Sequence, residues 1–335
     1  MNMVHPNTTW SAAPSIINKA YFTSAGLKKL ICREVRTSGR IVVITGCDSG
    51  IGYQLAKCAR SWGWTVVATC LDLEGEAAVS LRQAGVHTVY LDFTKPNMLD
   101  CLLDKLRQLK EENQVLWCLV NNAAMITYAF LEWHTSPMVD DQVKVNLTGS
   151  IEMTRALLPV IRENQGRVVM VSSPAGQMAG PNMTIYCATK WGIEGFTQSL
   201  RLELDHSGTS VVLVRPCNLP NRTGILSKNA AQLKMMIEAA SEETRKAYGA
   251  EMRETQLAFE AAFGNVSKIQ DINDPFLIKC FRRAMMSKNP AHCYSAAPLV
   301  VRSSLGLLQM LPSAWLHFLL KRGVYIKILN LARNY

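Results

Sequence analysis

The sequence predicts an α/β fold, a doubly wound parallel sheet of six to seven strands with a helical insertion after strand six. Short apolar runs rich in β-branched residues recur along the chain, as expected for strands buried on both faces. Amphipathic stretches separate these runs, and such alternation is typical of parallel strands joined by right-handed crossovers. After the sixth run the pattern becomes mostly helical, over residues 221–290.

The elements follow in order along the chain. The predicted strands are Ile41–Thr45, Thr65–Cys70, His87–Leu91, Val115–Val120, Arg167–Ser172 and Ser210–Arg215, and the helices between them include Ile51–Trp62, Asn97–Glu112 and Pro181–His206. Ligands of such sheets bind beyond the carboxyl ends of the strands. The helices of 221–290 are therefore well placed to cover a substrate pocket, with ordinary packing helices as the alternative.

These patterns divide the chain into three parts. Residues 1–38 form a basic N-terminal extension, 39–295 the α/β domain, and 296–335 an apolar, basic C-terminal segment. The long uncharged stretch Ser303–Leu320 contains Pro312 and several polar residues, which make it a poor membrane span. We expect it to form a helix pair that lies at a membrane interface, or part of the core.

The formal net charge of +10 lies at the two ends of the chain. Residues 1–40 and 295–335 each carry +5, which leaves 41–294 neutral. A nucleic-acid-binding protein is expected to carry its basic footprint on the folded domain, so we expect no nucleic-acid partner. Basic and partly apolar ends suit peripheral contact with an anionic membrane, with solubilising tails as the alternative.

The cysteines indicate the compartment. None of the ten occurs in a CxxC pair or at metal-ligand spacing, so we expect free thiols, no metal site and an intracellular, reducing environment. Residues 1–39 contain no apolar run typical of a signal peptide and have a weak likeness to a transit peptide.

A glycine-rich loop follows the first predicted strand. Gly46, Gly50 and Gly52 give the spacing GxxxGxG ahead of a helix, where free backbone N–H groups and the helix dipole favour a pyrophosphate. Asp72 lies 20 residues after Gly52, where an acid either reaches the adenosine ribose or caps the next helix. No Lys or Arg in the loop or just after strand two is available for a 2′-phosphate, which favours NAD(H) over NADP(H).

Tyr186 and Lys190 stand four residues apart in a predicted helix and therefore share one face. A neighbouring ammonium lowers the pKa of a phenol and makes proton exchange with a substrate oxygen possible near neutrality. Ser173, just past the fifth strand, either hydrogen-bonds that oxygen or caps a turn. Asn146 either exposes a backbone carbonyl to water or caps locally.

These motifs, taken in order, resemble one family. TGCDSGIG, NNAA, KVNLTG, VVMVSS and YCATK resemble the short-chain dehydrogenase/reductase family, and the similarity spans about residues 38–320. VLWCLVNNAA, LEWHTS, WGIEGFTQSLRLEL and NPAHCYS resemble a subgroup with retinol dehydrogenases, hydroxysteroid dehydrogenases, the mitochondrial 3-hydroxybutyrate dehydrogenase and an insect ecdysteroid-pathway member. The resemblance implies a Rossmann-type sheet of seven strands, of which the last is hard to see in this sequence.

The resemblance also implies roles for individual residues. Tyr186 would be the catalytic acid/base, Lys190 would bind the nicotinamide ribose, Ser173 would position the substrate oxygen and Asn146 would support a proton-relay water. The cofactor-binding residues would be Gly46, Ser49, Gly50, Ile51, Gly52, Asp92, Asn121, Asn122 and Ala123, together with Tyr186 and Lys190. Ala124 and Cys217 depart from the family pattern, where glycines are usual.

The expected activity is the NAD(H)-dependent interconversion of an alcohol and a carbonyl on an apolar, steroid- or sterol-like substrate. A retinoid is the second expectation and a short hydroxy acid the third; a catalytically silent cofactor- or lipid-binding protein on the same fold is the alternative. We expect membrane association, at the endoplasmic reticulum rather than the mitochondrion, and a homo-oligomer as a further possibility.

Overall fold

The computed structural model describes residues 33–217, 225–263, 272, 274–324 and 327–328. Most of the predicted extension 1–38 lies outside the described residues. The strands are β1 Arg40–Ile44, β2 Thr65–Cys70, β3 His87–Tyr90, β4 Val115–Asn121, β5 Arg167–Val171, β6 Ser210–Pro216 and β7 Cys293–Ala296. They pair in parallel in the order β3-β2-β1-β4-β5-β6-β7, which confirms the predicted doubly wound sheet.

Helices connect the strands and cover both faces of the sheet. They are α1 Gly50–Ser61, α2 Glu76–Gln83, α3 Asp100–Glu111, α4 Ser136–Val143, α5 Gly149–Glu163, α6 Thr184–Glu203, α7 Asn229–Ala239, α8 Glu242–Phe263, α9 Pro275–Met286, α10 Leu299–Gln309 and α11 Ser313–Lys321. The strand order reverses between β1 and β4, and a crevice at this switch point is where dinucleotides bind in such folds.

The alternation of side chains along β1 explains the two-sided core. Val42 and Ile44 pack with α1, α2 and α9, whereas Ile41 and Val43 pack with α3, α5 and α6. All four side chains are buried, as expected for a central parallel strand that has helices on both faces. The sheet is therefore held between two apolar layers, and its carboxyl edge is a rigid platform for the loops that follow each strand.

Two predicted helices begin later than their apolar pattern suggested. Asn97 and Asn182 have positive φ values of 54° and 61°, a left-handed conformation that a right-handed helix does not accommodate. The helices α3 and α6 consequently begin at Asp100 and Thr184 rather than at the predicted residues 97 and 181.

The helical range 221–290 divides into two groups that pack against different parts of the protein. The helices α7 and α8, here called the lid helices because the sequence predicts that they cover a substrate pocket, pack through Leu233, Met236 and Met252 against Trp133 and Met138. The helix α9 instead packs against the sheet through Phe281 and its neighbours. Residues 221–224, 264–271 and 273 of the range lie outside the described residues.

The C-terminal segment forms the helix pair expected from the sequence, with Pro312 at the start of α11. One face of α10 packs through Val301, Leu305 and Leu308 against Met178 and Cys217. Within the described part of the chain, no helix is both long and apolar enough to cross a bilayer.

Candidate active site

The glycine loop approaches its neighbours so closely that side chains are excluded. Gly46 has a φ of +71°, and a Cβ on it would lie 2.8 Å from the Cα of Ala123. A Cβ on Gly52 would lie only 2.1 Å from the carbonyl oxygen of Gly46. Gly50 also has a positive φ, of 59°. The loop therefore requires glycine for steric reasons, and it brings backbone close to the space where a pyrophosphate would lie.

The helix α1 begins directly at this loop. Ser49 is its N-cap residue but makes no side-chain capping hydrogen bond, and the first turn, which includes Ile51, contains no acidic residue. The positive end of the helix dipole is thus not compensated by a carboxylate of its own first turn. These features fit the phosphates of a dinucleotide, which Gly50, Ile51 and Gly52 would meet through their backbone.

Thr45, at the end of β1, ties the loop to β4. Its hydroxyl accepts the backbone N–H of Asn122 and of Ala123, each at 3.0 Å. The side-chain amide of Asn122 donates to the carbonyl oxygens of Thr45 at 2.9 Å and Gly46 at 3.1 Å. Asn122 and Ala123 therefore lie against the glycine loop, and their implied contact with the cofactor stays a prediction; the bracing role of Thr45 was not predicted.

Asn121 and Asp92 are placed differently from the loop residues. Asn121 is buried, and its amide donates to Thr154 Oγ1 at 2.8 Å, so its side chain faces the interior between β4 and α5. Asp92 follows β3 and accepts both the backbone N–H and the hydroxyl of Thr94, at 2.9 and 2.8 Å. These bonds fix the turn after β3 where the resemblance implied an adenine contact.

Two carboxylates organise the end of β2. Asp48 Oδ1 accepts the backbone N–H of Leu71 at 2.8 Å and of Asp72 at 3.1 Å, and burial raises the pKa of Asp48. Asp72 Oδ1 accepts the N–H groups of Glu74 and Gly75, just before α2. Of the two roles open for Asp72, this geometry favours the local one. Asp48, which the sequence analysis did not single out, is the acid that bridges the loop and β2.

Ser173, Tyr186 and Lys190 come together beyond the carboxyl end of β5. Ser173 opens the short turn after this strand, and its Oγ accepts the N–H of Ala175 at 3.2 Å. A side-chain hydrogen bond joins it to Tyr186, in the first turn of α6. Lys190, one turn later, donates from Nζ to the carbonyl oxygen of Val171 at 3.0 Å.

The same environment shifts the pKa of both titratable groups. Burial raises the pKa of Tyr186 to about 12, although its hydrogen bond with Ser173 acts in the opposite direction. Burial lowers the pKa of Lys190 to about 8, although the nearby charge of Glu194 acts to raise it. Lys190 Nζ lies 5.7 Å from the centre of the Tyr186 ring. The pKa of Tyr186 is therefore raised, not lowered as expected from the neighbouring ammonium, because burial is the largest influence on it. At neutral pH Tyr186 is a neutral phenol with a proton to donate.

A buried ion pair lies one helical turn beyond Lys190. Arg215, on β6, donates from Nε to Glu194 Oε1 at 2.8 Å and from Nη2 to Oε2 at 2.6 Å. Its third contact is Cys293 Sγ on β7, at 3.1 Å. Sequence reasoning missed this pair, although Glu194 at position i+4 from Lys190 was a visible signal.

Asn146 lies in a π-helical turn, Lys144–Thr148, between α4 and α5. Its side-chain amide accepts the N–H of Met125 at 2.7 Å and donates to the carbonyl oxygen of Met125 at 2.8 Å. It also donates to Thr189 Oγ1 at 3.2 Å, which places it against the helix that carries Tyr186 and Lys190. A π-turn shifts the backbone hydrogen bonds of a helix, and such turns are frequent at functional sites.

The fold and the site together define an oxidoreductase that binds a nicotinamide dinucleotide on a Rossmann-type sheet. A family model described as short chain dehydrogenase matches residues 40–234. The chain belongs to the short-chain dehydrogenase family, whose members act on CH–OH groups.

The similar proteins are dehydrogenases. The mitochondrial D-beta-hydroxybutyrate dehydrogenase of Mus musculus is 36% identical over 229 residues, 66% of this chain and 67% of that protein. Retinol dehydrogenase 7 of Rattus norvegicus is 33% identical over 266 residues, 77% of this chain and 80% of that protein. A short chain dehydrogenase/reductase from Burkholderia phymatum, solved with NAD, superposes with a TM-score of 0.62 at 22% identity, over 82% of this chain and 94% of that one, and shows the fold.

Proposed function

We propose that this chain is an NAD(H)-dependent dehydrogenase/reductase that interconverts an alcohol and a carbonyl on a bulky apolar substrate, a steroid or sterol before a retinoid. The observation that carries the proposal is the grouping of Tyr186, Ser173 and Lys190 at the carboxyl end of β5. In such folds this edge lies beside the dinucleotide crevice.

The residues divide the chemistry between them. In reduction, Tyr186 donates its phenolic proton to the substrate oxygen; in oxidation, its phenolate removes the proton of the alcohol. Ser173 donates a hydrogen bond to the same oxygen as charge develops there. Lys190 would support the phenolate by its charge and would bind the cofactor ribose. The nicotinamide, when bound, supplies or accepts the hydride. Asn146 supports proton relay through its backbone.

Methionine-containing apolar clusters next to the candidate site support a bulky, lipid-like substrate. The loop between Ser173 and Tyr186 contributes Met178 and Met183 to a cluster shared with α10. The lid helices contribute Met236 and Met252 to the cluster around Trp133. Methionine adapts to irregular apolar shapes, which suits a ring system such as an ecdysteroid. The two relatives point to a retinoid or a short hydroxy acid as the alternative substrates.

Carboxylates at the end of β2 support NAD(H) over NADP(H). Asp48 and Asp72 bind backbone there, and Glu74 follows within the same turn. Arg82 is already engaged by the carbonyl oxygen of Leu73 and the hydroxyl of Thr88. A 2′-phosphate would meet like charge, which costs several kcal/mol. We expect kcat/KM to favour NAD over NADP by more than about tenfold.

A substrate panel tests the proposal. Purified protein would be assayed with NAD and with 3-hydroxysteroids, an ecdysteroid, retinol and D-3-hydroxybutyrate, and the lipids that it retains would be identified by mass spectrometry. The Tyr186→Phe variant should lose about 10²- to 10⁴-fold in turnover while NADH binding persists, because only the proton donor is removed. Turnover of D-3-hydroxybutyrate alone would overturn the steroid assignment, and wild-type-like turnover by Tyr186→Phe would overturn the assigned acid/base. No turnover with any compound, with NADH binding intact, would favour a silent binding protein.

The exposed face of the C-terminal helices supports contact with an anionic membrane, for which we propose the endoplasmic reticulum. Leu299, Met310 and Trp315 are 74%, 82% and 64% exposed. Lys321 and Arg322 end α11, and Arg322 lies 4.3 Å above the ring of Phe318. Apolar and aromatic side chains bordered by cations are typical of interfacial helices. Because the opposite face of α10 packs on Met178, the membrane would lie near the loop between Ser173 and Tyr186.

Exposed apolar side chains on α5 and α6 support self-association. Val160 on α5 and Trp191 and Leu202 on α6 are 42%, 52% and 79% exposed. Two measurements distinguish the membrane-contact surface from the self-association surface. Flotation with phosphatidylcholine vesicles, with and without phosphatidylserine, measures membrane binding, and the mass of the protein in solution measures self-association. Trp315→Glu should reduce vesicle binding and leave the oligomer, whereas Leu202→Glu should do the reverse. A change of mass in Trp315→Glu would instead show that a second copy covers the C-terminal face.

A further inference from the structure

Residues 125–129, between β4 and α4, form a segment that we call the strap. Its backbone is irregular and does not join the sheet. Buried backbone N–H and C=O groups need partners, and here several of them find those partners in side chains of other elements. The strap is therefore positioned by particular amide side chains rather than by a strand ladder.

Two asparagines hold the strap by the same two-way bond. Asn146 Oδ1 accepts the N–H of Met125 at 2.7 Å, and Asn146 Nδ2 donates to the carbonyl oxygen of Met125 at 2.8 Å. Asn229, the first residue of α7, accepts the N–H of Tyr128 at 2.6 Å and donates to its carbonyl oxygen at 3.2 Å. Asn146 and Asn229 are 1% and 0% exposed, so water does not compete for these bonds.

The middle of the strap is held in the same way. The N–H of Thr127 donates to Gln142 Oε1 on α4 at 2.9 Å, and its hydroxyl accepts from Gln232 Nε2 on α7 at 3.0 Å. The Tyr128 ring packs against Phe259 of α8, with ring centres 5.6 Å apart. Both lid helices therefore contact the strap.

The other end of this network reaches the catalytic helix. Asn146 Nδ2 donates to Thr189 Oγ1, and the Thr189 hydroxyl donates to the carbonyl oxygen of Tyr186 at 2.8 Å. The lid helix α7 and the helix that carries Tyr186 and Lys190 are thus connected by a short series of buried hydrogen bonds through the strap.

We propose that Asn229 is a positioning residue for Asn146: by holding Tyr128, it fixes the strap and thereby the amide that binds Met125. Docking of the lid on the strap and the geometry of Asn146 are then energetically coupled, and the coupling is reciprocal. The inference rests on the proposed function only where it assigns a catalytic role to Asn146; the coupling itself is a property of the fold.

Hydrogen–deuterium exchange of the full chain, resolved to single amides, tests the coupling without a substrate. In Asn229→Ala, exchange should increase by about tenfold at Tyr128 and also at Met125, because the strap loses the bonds that fix it. Asn229→Asp keeps the acceptor for the Tyr128 N–H and loses the donor to its carbonyl oxygen, so the increase in exchange at both amides should be smaller. This variant also keeps the test usable if the alanine variant fails to fold. Lys234→Ala, exposed on the same helix, is the matched control and should leave both amides unchanged.

Reciprocity and kinetics complete the test. Asn146→Asp should increase exchange at Tyr128 and in the first turn of α7. With whichever panel compound the wild type turns over, Asn229→Asp should lower kcat while the Kd for NADH stays constant, a separation that general destabilisation would not give. Faster exchange confined to α7, with Met125 unchanged, would overturn the proposal, as would an unchanged kcat in Asn229→Asp. If the wild type turns over no compound, the proposed function fails, and the exchange at Met125 still decides the coupling.

Discussion

Removing one partner of the Arg215–Glu194 ion pair should lower the free energy of unfolding far more than replacing both partners by apolar residues. Both side chains are largely buried, at 19% and 7% exposure, and their two hydrogen bonds are 2.8 and 2.6 Å long. In Arg215→Met, Glu194 keeps its negative charge but loses both donors. Breaking a buried pair from one side typically costs about 3 to 5 kcal/mol, because an uncompensated charge is left behind.

The double variant distinguishes charge compensation from packing. In Glu194→Met with Arg215→Met, no buried charge is left unpaired, and such replacements are often neutral to stabilising. We therefore expect the double variant to recover most of the loss in the free energy of unfolding, with a coupling energy of about 3 kcal/mol or more. Arg215→Met alone should also raise the pKa of Lys190, since Glu194 already acts in that direction.

Urea unfolding followed by tryptophan fluorescence measures all four members of the cycle. If Arg215→Met lowers the free energy of unfolding by less than about 1 kcal/mol, the reasoning is refuted, because a solvent-exposed ion pair contributes no more than that. Additive effects of the two substitutions would refute it as well, since they would show that the residues contribute independently.

Three further predictions follow from single contacts. Burial lowers the pKa of Lys190 from 10.5 to about 8, so between these pH values the native state binds fewer protons than the unfolded state. The free energy of unfolding of the wild type, measured relative to Lys190→Met, should therefore rise by about 2 to 3 kcal/mol from about pH 7 to about pH 10. A difference that does not change with pH would contradict the lowered pKa. Gly52→Ala places a Cβ 2.1 Å from the Gly46 carbonyl oxygen; NADH affinity, from quenching of tryptophan fluorescence, should fall by about 10- to 100-fold, whereas Gly195→Ala, with open space around it, should bind normally. Arg167 donates to two carbonyl oxygens at the end of α9; Arg167→Met should cost about 2 to 5 kcal/mol in urea unfolding, and a loss below about 1 kcal/mol would show that these carbonyls find other partners.

The sheet was predictable because most of its strands are recognisable in the sequence as short apolar runs. Five of the six predicted strands are largely buried on both faces, whereas β3 is a half-exposed edge strand, and the structure confirms all six with shifts of one residue at some ends. The seventh strand, Cys293–Ala296, has four residues and a half-buried CYSA sequence, so no apolar run marks it. It forms because β6 offers a free edge, which is a tertiary cause.

The site was predictable to the extent that its residues are close in sequence. Tyr186 and Lys190 share a helix face by spacing alone, and Ser173 follows a strand that ends beside them. The partnership of Asn146 with Met125, or of Asn229 with Tyr128, joins residues 21 and 101 positions apart. No local pattern shows such pairs, because the folded backbone brings them together.

The pairing of β7 with β6 has a consequence for synthesis of the chain. The glycine loop and the helix α6 both precede residue 204, whereas the strand that completes the sheet and the helix that packs on Met178 come from residues 293–309. A ribosome therefore synthesises the residues proposed to bind the cofactor and the substrate oxygen well before the helix that covers Met178. A chain that stops early would expose the apolar surface around Met178 and Cys217, so release from chaperones should await the last forty or so residues.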